Sequence, residues 1–189
     1  TCILAAVAAA VIAAPLFPLS EVKAAEPVNL AQGKEATAND TETDAYQASK
    51  AVDGVVNRDA EKPQQSRWAT KTSAEEQPKI LTVNLGEQKT FQSFVIAWER
   101  TNITHYEIQT SNTGGEGADE WTTVYEKEGD KSISNINENI HLADPVTAQF
   151  VRLYVDGYNL NPGNWQSVSV YEFQVYENEI PDDLLPEEE

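Results

Sequence analysis

The chain is poor in cysteine, methionine, histidine and positive charge. Its 189 residues hold one cysteine, no methionine and two histidines, with 13 lysines and arginines against 31 aspartates and glutamates. A single cysteine excludes an intramolecular disulfide framework and any zinc site built on cysteine pairs. Two histidines supply neither a metal-binding pair nor a nucleophile–histidine–acid set, and His105 and His141 read as plain surface or core residues. Two carboxylates at a glycosidase spacing could still hide among so many acids. The missing methionine points to a fragment, or to a chain without its true start. The formal net charge of −18 argues against nucleic acid or an anionic membrane as partner, because both need a basic footprint. The length suits one domain with a real core and not comfortably two.

The one long apolar run is Ile3 to Ala14, followed by Pro15-Leu16-Phe17-Pro18-Leu19. It is too short, and too rich in proline at its end, for a comfortable membrane span. It suits the hydrophobic region of a secretory signal over residues 1–24 whose charged start is missing, with small residues for cleavage after Ala24 or Ala25. A buried or anchoring helix is the alternative. Cys2 precedes the run, which argues against a lipid anchor. Beyond the leader there is no cysteine, as is ordinary for a bacterial exported or cell-surface protein. At the other end, Glu177–Glu189 packs seven carboxylates and two prolines into thirteen residues. Such a run repels itself, so residues 179–189 read as an acidic linker to further domains of a longer polypeptide.

Between these ends, over residues 26–178, the chain reads as one all-β domain. Leu81, Val83 and Leu85 alternate with polar residues until Gly86. Phe94-Ile96-Trp98, Tyr106-Ile108-Thr110, Trp121-Thr123, Phe150–Val155, Val168-Val170 and Phe173-Val175 continue the pattern. A period of two with β-branched and aromatic enrichment marks half-buried strands, and no window outside the leader holds a helical stripe. Many short strands without alternating helices indicate a sandwich or jelly roll. Trp68, Trp98 and Trp121 adjoin alternating residues and are expected in the core. Arg67 and Arg152 are expected as buried ion-pair partners.

Nine pieces in order carry a resemblance: Asn29-Leu30-Ala31, Ala48–Gly54, Ser66-Arg67-Trp68, Leu81–Gly86, Trp98-Glu99, Tyr106–Gln109, Trp121–Val124, Phe150–Leu153 and Val168–Phe173. Together they resemble the F5/8 type C, or discoidin-like, domain, most closely its bacterial family 32 carbohydrate-binding modules. The resemblance implies a galactose-binding-like jelly-roll β-sandwich that binds glycans through loops at one end, without catalysis, beside a structural calcium ion. Asp53 and Glu172 would bring carboxylates to that ion and Ser66 a hydroxyl and a carbonyl. Carbonyls of Lys50 and of the Val55–Asn57 stretch are similar to the family's further donors. The loop from Gly54 to Ser66 is longer than the family's usual one, and Val55 stands where a polar residue is common. The other reading of these residues is a turn at Asp53 and a strand-edge ion pair at Glu172.

Sugars are gripped by aromatic rings on their C–H faces and by planar polar groups around their hydroxyls. Trp165, just before the Val-Ser-Val strand, holds the place of the family's stacking aromatic. Arg100 and Asn102 are similar to its polar partners. Glu99 is a sugar contact or a structural acceptor, while Tyr46 and Tyr158 complete the candidate set. Three functions are weighed. One is a carbohydrate-binding module targeting an exported glycan-active enzyme or adhesin to glycans. The second is a discoidin-type phospholipid or protein adhesion domain, which the acid excess opposes. The third is a glycan-active enzyme, rejected for this chain because the binding fold consumes it. Galactose, N-acetylgalactosamine, N-acetylglucosamine and longer glycans all suit the loops.

Overall fold

The computed structural model describes residues 26–56, 66–73, 77–127, 132–134, 136–159 and 166–181. The leader and most of the acidic tail lie outside the described residues. Seven strands are present among them: β1 (Glu35–Ala38), β2 (Trp68–Ala69), β3 (Lys79–Trp98), β4 (Ile103–Ser111), β5 (Thr122–Glu126), β6 (Asn137–Tyr158) and β7 (Ser169–Tyr176). Every pairing is antiparallel. Three single 3-10 turns accompany them, at Asp44–Tyr46, Ala48–Ala51 and Ala118–Glu120.

Two strands are far longer than the alternation suggests. Gly86 reads as a terminator, yet β3 runs through it. The register against β6 shifts between Asn84 and Lys89, where Gly86 takes φ +89°. A residue without Cβ can hold that backbone, so the ribbon bends where another residue would be strained. Before the bend, β3 lies between β1 and the C-terminal half of β6; after it, between β7 and the N-terminal half of β6. The hydrogen-bonded sheet thus folds over on itself as a β-sandwich, and side chains from both halves fill one core.

Trp68, Trp98, Tyr106, Phe91, Phe94 and Phe173 are fully buried there. Phe94 stacks on Phe173 with centroids 6.1 Å apart, and Trp98 meets Tyr106 edge-on at 5.3 Å. Both buried indole N–H groups are satisfied, Trp68 donating to the Asp40 carbonyl at 3.0 Å and Trp98 to Glu138 Oε2 at 2.8 Å. An unmet donor at such depth would cost about 1–3 kcal/mol.

Two expectations are corrected. Trp121 is only half buried, because β5 is an edge strand paired with β4 alone. Arg152 forms no ion pair among the described residues. Its guanidinium lies 4.0 Å over the Trp121 ring and 5.5 Å from that of Tyr154, with Nε donating to Gln109 Oε1 at 2.6 Å. The carboxylate of the same surface, Glu107, already accepts from Gln109 and Thr123.

Candidate functional site

Two clusters expected from separate stretches of chain form. The first joins Asp53, Ser66 and Glu172. Asp53 follows the 3-10 turn that contains Lys50, which packs against β2 and β7. Gly54 then takes φ +81°, a backbone conformation that strains any residue with a Cβ. Asp53 Oδ1 accepts the Val55 amide at 3.0 Å, and Oδ2 accepts the Ser66 hydroxyl. Glu172 Oε1 accepts the Gly54 amide at 3.0 Å.

Glu172 is wholly buried, and its Oε2 has no hydrogen-bond partner among the described residues. Burial pushes its carboxyl up to about 8, against the pull of the Gly54 amide, and the charge of Asp53 adds to the rise. It stands in no ion pair with a described residue. A buried carboxylate beside a second one, with one oxygen unmatched, is costly unless a proton or a cation joins it. Carboxylates, a hydroxyl and turn carbonyls are hard oxygen donors of the kind calcium takes. Val55 is exposed and offers backbone only. Among the described residues no group of three or more acids, histidines or cysteines could hold a metal by side chains alone, so carbonyls would have to complete the shell.

The second cluster lies where β3 leaves the sheet. Arg67 Nε is 3.3 Å from Glu99 Oε2, and its guanidinium covers the Tyr46 ring at 4.1 Å. Glu99 Oε1 faces Arg100 Nη2 at 3.6 Å. Backbone bonds hold these walls: Glu99 to Ser169 at 3.0 Å, Glu42 to Ala69 at 2.8 Å and Thr70 to Val168 at 2.9 Å. They enclose a cleft of about 170 Å³ whose lining includes Glu42, Tyr46, Arg67, Glu99, Arg100 and Ser167. A neighbouring cleft of about 510 Å³ shares Glu99 and Arg100 and adds Thr101, Asn102, Ser132, Ile136 and Asn159.

Of the sequence candidates, Glu99, Arg100 and Tyr46 therefore meet in one cleft, and Asn102 lies in the next. Tyr158 is a correction. It ends β6 opposite Ile103 with its ring in the core, and its hydroxyl donates to the Gln77 carbonyl at 3.0 Å. Trp165 lies outside the described residues, two positions before the cleft residue Ser167. Arg67, read as an ion-pair partner, does pair with Glu99 but also walls the cleft. The local pattern carried no such signal, because Arg67 precedes β2 and both residues of that strand are buried.

A model of the F5/8 type C domain matches residues 35–173. Among solved structures, chitosan-binding module 1 of a chitosanase/glucanase from Paenibacillus sp. IK-5 is 32% identical. It covers 79% of this chain and 98% of its own, with a TM-score of 0.62. Module 2 of the same enzyme, in complex with chitotriose, is 31% identical over 78% and 99%, with a TM-score of 0.63. The family 32 module of C. perfringens NanJ, in complex with galactose, is 25% identical over 80% and 98%, with a TM-score of 0.58. A comparison with curated proteins finds no match. By their names these three neighbours are binding modules, two of them for chitosan and one of family 32, as the family resemblance in the sequence implies.

Proposed function

Because the chain belongs to the F5/8 type C domain family, we propose that it is a carbohydrate-binding module whose ligand seats in the cleft between Tyr46, Arg67, Glu99 and Arg100. The observation that carries this reading is the chained arrangement of those side chains. A ring held under one guanidinium and a carboxylate shared between two guanidinium groups offer planar donors and acceptors, already oriented, at a surface sugar hydroxyls can reach. Trp165 is the proposed stacking ring, two residues from the cleft wall at Ser167. The chitotriose and galactose carried by two similar modules make these sugars the first ligands to try. Binding through one shallow cleft is of roughly micromolar to millimolar strength, raised by multiplicity in a longer protein.

Calcium belongs to the same proposal as a structural ion. Asp53, Ser66 and Glu172 would hold it with backbone carbonyls of Lys50 and the Val55 turn. Bound there, the ion supplies the positive charge that the Asp53–Glu172 pair calls for, and it staples the Gly54 turn to β7. The apolar Ile3–Ala14 run supports export, and the origin of two similar modules in a chitosanase/glucanase supports a role in targeting a glycan-active enzyme.

A glycan array probed with the full chain tests the sugar site, with Trp165→Ala and Arg100→Ala as controls. Signals on one glycan class that both substitutions weaken support the reading. An array without signal, or signals indifferent to both substitutions, overturns it.

A further inference from the structure

The two clefts are not separate features. Glu99 and Arg100 form a ridge that walls both, and the ridge is braced from each side. The Asn102 side-chain amide donates to the Ser167 carbonyl at 2.9 Å, and Ser167 lines the smaller cleft. The Asn102 carbonyl accepts the Asn159 amide at 2.9 Å, and Asn159 lines the larger one. One asparagine thus ties both walls together, so the clefts keep a constant spacing. The smaller, at about 170 Å³, is below the ~300 Å³ of an ordinary small-molecule site, whereas the larger, at about 510 Å³, falls within that range.

Their linings differ in kind. The smaller cleft carries charged and aromatic groups, whereas the larger, beyond the shared Glu99–Arg100 ridge, has uncharged polar groups around the half-buried apolar side chain of Ile136. A single pyranose is served by the first alone. The second, adjoining, larger and less polar, suits the next sugars of a chain that crosses the Arg100 ridge.

We propose that these are two subsites of one groove, so that the ligand is an oligosaccharide spanning both rather than a single terminal sugar. This rests on the carbohydrate-binding reading above. Arg100, 38% exposed at its side chain, lies where the linkage between adjacent sugars crosses, and the Glu99 carboxylate holds its guanidinium in that position.

Titration calorimetry on the full chain tests this with two length series, glucosamine against chitotriose and galactose against GalNAc-β-1,3-galactose. Each is measured on the native chain and on Ser132→Lys and Ile136→Ala. Both substitutions touch only the larger cleft, one filling it and one removing its apolar wall. In the series that binds, the longer sugar should bind at least about tenfold tighter than the single one. Both substitutions should erase most of that gain and leave the monosaccharide unchanged. Equal affinity for short and long sugars would overturn the two-subsite groove while leaving the single cleft standing, as would a length gain that both variants keep. Failure of every sugar to bind would overturn the carbohydrate reading itself, and this inference with it.

Discussion

Glu172 accepts the backbone amide of Gly54 at 3.0 Å across a sequence separation of 118 residues. The contact joins a strand of the sandwich to a turn near the start of the domain, and the second oxygen of this buried carboxylate has no partner among the described residues. A cation there would bind the folded state alone. A ligand at about 100 times its Kd adds roughly 2.7 kcal/mol. At roughly 2–4 °C per kcal/mol for a domain of this size, calcium should raise Tm by about 5–10 °C over chelator-treated protein. Glu172→Gln keeps the shape and the acceptor for Gly54 but removes the charge, so its Tm should no longer respond. Scanning fluorimetry of both proteins with calcium or chelator decides; identical melts of the native chain in the two conditions would rule out the ion.

Arg67→Ala leaves Glu99 paired with Arg100 among the described residues and uncovers the Tyr46 ring. A hydrogen bond to a charged group contributes about 1.5–3 kcal/mol, so affinity for the glycan found on the array should fall roughly ten- to hundredfold. Calorimetry measures it. A loss confined to stability, with affinity intact, would take Arg67 out of the binding cleft.

His105 stands between Asp156 and Glu126, bonded to both, the latter at 3.0 Å. The bond to Asp156 raises its pKa most, followed by that to Glu126, against partial burial. Because the folded value lies above the unfolded one, the pair's contribution is fully present below about pH 6.5 and disappears as pH rises through the raised value. Urea unfolding of the native chain and His105→Gln should therefore differ most below pH 6.5, by up to about 1 kcal/mol for a partly exposed cluster. The two should converge at alkaline pH, and a gap that widens there would refute the assignment.

Arg152 and Trp121 form a stack at 4.0 Å on the β4–β5–β6 surface. A double-mutant cycle on Arg152→Ala and Trp121→Ala should give a coupling of about 0.5–2 kcal/mol by urea unfolding. Arg152→Lys should recover little of it, because an ammonium cannot lie flat between two rings. Full recovery by lysine would make charge, and not planarity, the operative property.

The all-β class, the burial of Trp68 and Trp98 and the family of the domain were legible in the residues themselves. A period of two reports which face of a strand is covered, and the order of nine short pieces is a one-dimensional property. Tertiary structure decided the rest. The passage of β3 through Gly86 depends on a partner strand more than fifty residues away. The inward turn of Tyr158 and the placement of Arg152 among rings depend on register with neighbours the local pattern does not name. The meeting of Asp53 with Glu172, and of Tyr46 with Arg67 and Glu99, is set by where loops from distant strands end. Alternation tells a residue which way to point, and only the packed sheets determine what it meets there.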